Sequence, residues 1–184
     1  PLFVEYKGIT LREFDLDAAL KRKPQLIIVD ELAHTNAQGC RHLKRYQDIE
    51  ELLSAGIDVY TTVNVQHLES LNDIIASITG VVVQERIPDS VFDRANQVEL
   101  VDIEPDDLIE RLNQGKIYRT DQAKSAVSNF FTKENLVALR EIALRRTADR
   151  VVKHVGENSY VGEHILICLS SAPSNAKVIR TAAR

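Results

Sequence analysis

The stretch Leu26-Ile-Ile-Val-Asp30-Glu31 places four apolar residues directly before two acids. A short apolar run rich in β-branched residues predicts a buried strand, with the acids at its carboxyl end. Ligands of open α/β sheets collect at that edge, so the stretch is typical of a Walker B motif. In that interpretation Asp30 helps to bind Mg²⁺ and Glu31 orients an attacking water. The alternative is a strand end whose acids simply face solvent.

Strand and helix patterns alternate on either side of this stretch. Further strands are predicted at 3–6, 59–63, 81–83 and 98–101. Helices are predicted from 16 to 21 after Asp15, from 43 to 55 before Gly56, from 70 to 79 before Gly80, from 105 to 114 before Gly115, and from Lys133 to about Val155 after Thr132. Continuous apolar strands alternating with helices predict an α/β fold with a parallel sheet flanked by helices.

Polar residues follow two of the predicted strands. His34 and Asn36 come after Asp30 and Glu31, and Asn64 and Gln66 come after the strand that ends at 63. Because the carboxyl ends of parallel strands share one edge, these groups can reach phosphates there. A solvated loop and ordinary strand caps explain the same residues equally well.

Two other polar groupings carry less weight. His34, Cys40, His42 and His67 match no zinc-site spacing. The arginines of the last helix can bind an anion or an acidic partner, but a solvated face is the more common role. These are Arg140, Arg145, Arg146 and Arg150. An apolar stripe containing Leu144 and Ala148 predicts that helix's packing face.

Composition excludes several functions. The net charge of −4 argues against general nucleic-acid binding. No apolar run approaches the roughly 20 residues that span a bilayer. Two cysteines, Cys40 and Cys168, favour a reducing compartment over a disulfide framework. There is no G-x-x-x-x-G-K-[ST] loop, so phosphoryl transfer by this chain alone is not expected.

A second domain is predicted to begin near the end of the chain. Residues 156–162 have the composition of a linker, whereas 164–169 are an apolar strand, 170–175 a polar turn, and 176–184 the start of a helix. We therefore divide the chain into a domain at 1–155, a linker at 156–162 and the first βα unit of another domain at 163–184. The absence of methionine and the last residues suggest a piece of a longer protein.

Longer runs of residues resemble a known family. They are Val29-Asp-Glu-Leu-Ala-His-Thr-Asn36, Ala55-Gly-Ile-Asp-Val59, Thr61-Thr-Val-Asn-Val-Gln-His-Leu-Glu-Ser-Leu-Asn-Asp73 and Asn135-Leu-Val-Ala-Leu-Arg-Glu-Ile-Ala-Leu-Arg-Arg-Thr-Ala-Asp-Arg150. Together they resemble the N-terminal cytosolic region of the KdpD-type osmosensitive potassium-channel sensor histidine kinases. The resemblance implies a P-loop-NTPase-like domain, here lacking its first strand and P-loop, followed by a universal-stress-protein-like domain.

The same resemblance implies function and partners. The parent would be a membrane-bound, homodimeric two-component kinase that phosphorylates the response regulator KdpE and controls a potassium-uptake ATPase. The resemblance also implies that ATP and Mg²⁺ bind, and that Asp30 and Glu31 are the residues of this chain that take part. In some relatives the second domain binds cyclic di-AMP, which would touch Ser170, Ser171 and Ser174 here. Gln38, Cys40 and Tyr46 depart from the proline, serine and tryptophan of the family.

Three functions remain open at this stage. The first is a regulatory module whose nucleotide-bound state biases a distant kinase. The second is a stand-alone P-loop ATPase or GTPase, which the missing loop disfavours. The third is a docking domain that keeps the fold without the ligand. The phosphoacceptor histidine and kinase core lie outside this chain, so no enzymatic activity is expected of it alone.

Overall fold

The computed structural model describes residues 1–6, 8–115 and 130–155. The chain divides into two compact units, one formed by Pro1–His67 with Gln84–Ile87 and the other by Leu68–Val83 with Pro88–Arg184. The second domain predicted at 163–184, including Ser170, Ser171 and Ser174, lies outside the described residues. So do the predicted linker and the segment 116–129.

The first unit opens with an antiparallel hairpin. Strand β1 (Leu2–Tyr6) pairs with β2 (Ile9–Glu13), so that Leu2 lies opposite Glu13 and Tyr6 opposite Ile9. The turn between them contains Gly8, whose φ of +82° is readily adopted only by glycine. The strand predicted at 3–6 is confirmed, but its partner β2 was not predicted and the pair does not belong to a parallel sheet.

A β–α–β unit follows and forms the core of the first unit. After helix α1 (Leu16–Arg22), strand β3 (Leu26–Val29) leads through helix α2 (Arg45–Ser54) to strand β4 (Asp58–Thr61). The two strands are parallel, with Leu26 opposite Asp58 and Val29 opposite Thr61. Buried apolar side chains fill the space between the strands and α2; they are Val29, Leu32, Ile49, Leu52 and Ile57.

The ends of these helices follow the predicted capping residues. The Asp15 carboxylate accepts a hydrogen bond from the Ala18 amide at 3.0 Å and caps α1. Gly56 takes a φ of +76° just after α2, which lets the Ile57 amide donate back to the Leu52 carbonyl at 3.1 Å. The chain therefore turns directly into β4, as the glycine predicted.

The second unit is helical in its described part. It contains a 3₁₀ turn at Glu69–Leu71 and helices α3 (Asn72–Thr79), α4 (Asp89–Asp93), α5 (Pro105–Asn113) and α6 (Lys133–Val155). The long α6 packs against α3 and α5. Its first turn is capped by Thr132, whose hydroxyl accepts from the Asn135 amide at 3.2 Å. Gly80 and Gly115 follow α3 and α5 with positive φ, as predicted.

The strands predicted at 81–83 and 98–101 are wrong, because neither segment is a strand or pairs with one among the residues that the structure describes. Side chains of α3 bind the first segment instead: the Thr79 hydroxyl accepts from the Val81 amide at 3.2 Å, and the Asn72 amide donates to the Val83 carbonyl at 3.0 Å. Val101 in the second segment is 82% exposed. Apolar composition alone therefore misidentified two extended loops as strands.

The face that α6 buries also differs from the predicted stripe. Leu136 and Leu139 are buried together with the polar Arg146 and Arg150, whereas Leu144 is exposed. The interpretation of the arginines as a solvated face is thus wrong for Arg146 and Arg150. The mixed α/β class is confirmed, but the sheets in the described residues are two separate strand pairs.

Candidate functional site

The carboxyl edge of β3 and β4 is joined by Thr62. Its hydroxyl donates to the Asp30 carboxylate and accepts from the Glu31 amide at 3.2 Å, while its carbonyl accepts from the Leu32 amide at 2.9 Å. Asp30 and Thr62 are both exposed. One carboxylate of fixed position therefore faces solvent where the parallel strands end.

Glu31 has a strained backbone directly after Asp30. Its φ is +57°, in the left-handed region that costs a non-glycine residue on the order of 1 kcal/mol. The side chain is 71% exposed, and its carboxylate lies 3.8 Å from His34 Nδ1 and 3.9 Å from an Arg45 nitrogen. These are ion-pair distances rather than hydrogen bonds, so the Glu31 carboxylate is available to other partners.

Beneath this turn lies Glu13, whose side chain is only 5% exposed. Its carboxylate accepts from the Ala37 amide at 3.0 Å, from Arg45 at 3.1 Å and from His34 Nε2 at 3.1 Å. A buried charge needs such compensation. Sequence reasoning missed Glu13 because it ends a strand, β2, that no pattern predicted.

The structure places His34 at this edge but turns Asn36 inward. Asn36 is buried, and its amide donates to the Asp48 carboxylate at 2.7 Å and to the His42 carbonyl at 3.0 Å. Burial raises the pKa of Asp48, more than the hydrogen bond from Asn36 and the charges of His42 and Arg45 lower it. The described contacts of Asn36 are therefore those of a structural amide, and its predicted contact with a nucleotide stays a prediction.

Asn64 and Gln66 follow β4, as predicted, and Asn64 is exposed while Gln66 is half-buried. The Asn64 carbonyl accepts from the His67 amide at 3.0 Å, which opens a 3₁₀ turn at Val65–His67. These contacts leave the Asn64 side chain on the surface, and its phosphate-sensing role is still a prediction.

Glu85, in the segment Gln84–Ile87 of the first unit, contacts both the loop after β3 and His67. Its carboxylate accepts from the Thr35 amide at 2.8 Å, and its carbonyl lies 2.8 Å from His67 Nδ1. Burial raises the pKa of Glu85, but the hydrogen bonds from Thr35 and the nearby His34 and Lys44 outweigh it, so the pKa is lowered. Glu85 therefore remains ionised and keeps the loop fixed.

The four residues considered for zinc are engaged separately. His34 contacts Glu13, His42 lies 2.7 Å from Glu51, and His67 contacts the Glu85 carbonyl. Burial, followed by the charges of Glu13 and Asp48, raises the pKa of the Cys40 thiol. Within residues 1–6, 8–115 and 130–155, no three His, Cys, Asp or Glu side chains are grouped as metal ligands.

A magnesium ion nevertheless fits a single carboxylate of this kind. Mg²⁺ is usually bound by one or two carboxylates together with substrate phosphates and several waters, not by an all-protein cage. Asp30 is exposed, and the Thr62 contact engages one of its two carboxylate oxygens. The donor set at the edge therefore suits a metal that arrives with a nucleotide.

The arginines of α6 belong to the second unit and bind its own acids. Arg140 donates to Asp102 at 2.7 and 2.5 Å and to Glu104 at 2.9 Å. Hydrogen bonds to these carboxylates raise the pKa of Arg140, and the bond from Arg140 lowers the pKa of Asp102. Arg145 pairs with Glu141, and Arg146 with Asp93. These three arginines therefore form ion pairs within the second unit.

No helix in the described part of the chain is both long and apolar enough to cross a membrane. By fold and site, the described part of the chain is an α/β protein with an exposed acidic edge at the end of a parallel strand pair.

Comparison with known proteins identifies the family. Residues 1–151 match the family model of the KdpD osmosensitive K⁺ channel His kinase sensor domain, and the chain belongs to that family. It is 61% identical over 190 residues to the sensor protein KdpD of Clostridium acetobutylicum, covering 98% of this chain and 21% of that protein. It is 56% identical over 188 residues to the sensor protein KdpD of Escherichia coli K12, covering 97% and 21%. The chain thus spans about a fifth of the length of these relatives.

Proposed function

We propose that this chain is the regulatory part of a potassium-linked sensor histidine kinase. We propose further that ATP binds with Mg²⁺ at the edge formed by Asp30 and Glu31. The observation that supports it is the exposed Asp30 carboxylate, bonded to the Thr62 hydroxyl at the carboxyl end of the parallel pair β3–β4. Family membership supplies the sensor-kinase context.

The residues at the edge have distinct tasks in this proposal. Asp30 binds the Mg²⁺ that accompanies the phosphates, and Thr62 fixes the orientation of the carboxylate. Glu31, exposed and without a hydrogen-bonded partner at its carboxylate within the described contacts, orients a water. His34 and Asn64 lie on the same edge. The chain has no G-x-x-x-x-G-K-[ST] loop, so the amides that cradle the phosphates would come from another part of the longer protein.

Nucleotide binding at this edge would bias the activity of the kinase core in the same polypeptide. The parent would be a homodimer at the cytoplasmic side of the membrane that passes a phosphoryl group to the response regulator KdpE. Cyclic di-AMP binding near Ser170, Ser171 and Ser174 belongs to the same proposal for the second domain. A stand-alone ATPase or GTPase is disfavoured, because the chain lacks the phosphate loop.

The second candidate is a docking domain that has the fold but no nucleotide. One observation favours it: the Asp30 carboxylate already has the Thr62 hydroxyl as a partner, and the Asp30 carbonyl already accepts from Arg45 at 3.1 Å. With both of these partners, Asp30 would need no ligand.

A calorimetric titration of Mg-ATP into the longer protein that contains this chain, with the ATP site of its kinase core disabled by substitution, separates the two. Asp30→Asn removes the charge that attracts Mg²⁺ while keeping the side-chain shape. Asp58→Asn is the matched control, because Asp58 is an exposed aspartate at the opposite end of the neighbouring strand β4. We expect Mg²⁺-dependent binding that weakens at least about tenfold in Asp30→Asn and is unchanged in Asp58→Asn.

The opposite result has a clear meaning. A folded longer protein that releases no heat with Mg-ATP would establish the docking function. If both variants bind Mg-ATP equally well, Asp30 does not belong to the nucleotide site, and the nucleotide binds elsewhere in the protein.

A further inference from the structure

Glu13 lies outside the candidate site but connects to both of its acidic residues. It ends strand β2 of the hairpin, and its carboxylate is buried among three donors: the Ala37 amide, the Arg45 guanidinium and His34 Nε2. Charge-assisted hydrogen bonds to a buried carboxylate are among the stronger polar contacts in proteins. The position of Glu13 therefore determines the positions of Arg45 and His34.

Arg45 carries the first connection. One terminal nitrogen donates to Glu13 at 3.1 Å, and the other donates to the carbonyl of Asp30 at 3.1 Å. Its side chain is almost fully buried, at 11% exposure. Because the guanidinium is planar and rigid, its two donors cannot move independently. A displacement of the Glu13 carboxylate would therefore displace the Asp30 carbonyl.

His34 carries the second connection. Its ring contacts both oxygens of Glu13, at 3.2 and 3.1 Å, and its backbone amide donates to the Glu31 carbonyl at 3.0 Å. Each carbonyl of the acidic pair is thus bound by a residue that Glu13 binds. The Glu31 backbone is strained, with a φ of +57°, and a strained turn persists only where its surroundings fix it.

We infer that Glu13 is a positioning residue for the nucleotide edge, setting the Asp30–Glu31 turn through Arg45 and His34 without touching the ligand. The inference deepens the proposed function and rests on it for the ligand. Since Glu13 belongs to the hairpin, a partner or domain that moves the hairpin would change the geometry at Asp30.

The test compares two neutral substitutions on the hairpin. Glu13→Gln keeps the size of the side chain but removes the charge that binds Arg45 and His34. Glu5→Gln is the matched control, since Glu5 is an exposed glutamate of β1 whose carboxylate accepts from the Thr10 hydroxyl. Amide resonances of the 184-residue chain without nucleotide report the turn directly, and Mg-ATP titration of the longer protein reports the site.

We expect Glu13→Gln to shift the Glu31 and Leu32 amide resonances and to weaken Mg-ATP binding about tenfold, while Glu5→Gln does neither. In an Arg45→Met background the part of the binding loss that Arg45 transmits should vanish, and only the part that His34 transmits should remain. A purely structural role would lower the free energy of unfolding without weakening Mg-ATP binding by the folded variant. Full additivity of the two substitutions, or unshifted turn resonances in Glu13→Gln, would overturn the inference.

A further variant serves if Glu13→Gln fails to fold. Arg45→Lys keeps the charge but replaces the two nitrogens of the rigid guanidinium by one flexible ammonium, so it no longer keeps Glu13 and the Asp30 carbonyl at a fixed separation. The same resonances should shift in that variant. If the unaltered longer protein does not bind Mg-ATP, the proposed function fails. The resonance shifts then decide the positioning role of Glu13 separately.

Discussion

At the scale of single residues, Asp48 shows how burial links stability to pH. It is buried in α2, and the Asn36 amide donates to it at 2.7 Å. Burial, the largest influence, raises its pKa above the ordinary aspartate value. A carboxyl with a raised pKa binds its proton more tightly in the folded chain. The free energy of unfolding therefore falls as pH rises from about 4 through the raised pKa, and then stays level.

Asp48→Asn tests this dependence, because it removes the charge and keeps an acceptor oxygen for Asn36. We expect the variant to lose less than about 1 kcal/mol of unfolding free energy at pH 7, or to gain stability. Relative to the unaltered chain, its stability should improve as pH rises through that window. Asp48→Ala, which leaves the Asn36 amide with the His42 carbonyl as the only one of its two acceptors, should cost about 1–3 kcal/mol. Urea unfolding between pH 4 and 7 measures both, and equal costs would contradict the explanation.

At the scale of secondary structure, the contact between α6 and α4 depends on Arg146. This side chain is 10% exposed, donates to Asp93 at 2.5 Å, lies 3.5 Å from Asp89 and stacks 4.7 Å above the Phe92 ring. Arg146→Met should cost about 2–3 kcal/mol, because it leaves two half-buried carboxylates without this partner. Arg145→Met, at 77% exposure and paired only within the helix, should cost less than about 0.5 kcal/mol. Similar unfolding midpoints in urea for the two variants would contradict this.

Local signals in the sequence predicted the elements whose ends depend on local chemistry. The cap at Asp15, the glycine after α2 and the strand β3 appear in the structure as expected. The prediction that β3 is buried is wrong for Leu26 and Ile28, which are 46% and 75% exposed in the described structure. The failures at 81–83 and 98–101 have another cause, since distant side chains satisfy those backbones or leave them in solvent. At the site, Asp30 was predictable because it follows a strand. Glu13 was not, because its role comes from donors 21 to 32 residues away.

At the scale of the whole protein, this chain spans about a fifth of the length of its relatives, so the proposed regulation has to be tested in the longer protein. If nucleotide at the edge regulates the kinase, the ATP dependence of autophosphorylation should contain a regulatory component separate from catalysis. In the full-length protein in lipid vesicles, Asp30→Asn should raise the ATP concentration at which the regulatory component is half-maximal by about tenfold. The reason is that the variant loses the proposed contact between Asp30 and Mg²⁺. Asp58→Asn, with the same loss of charge at the far end of β4, should leave it in place. Identical ATP and potassium responses in the two variants would show that the kinase does not sense ligand at this edge, even if binding there is measurable.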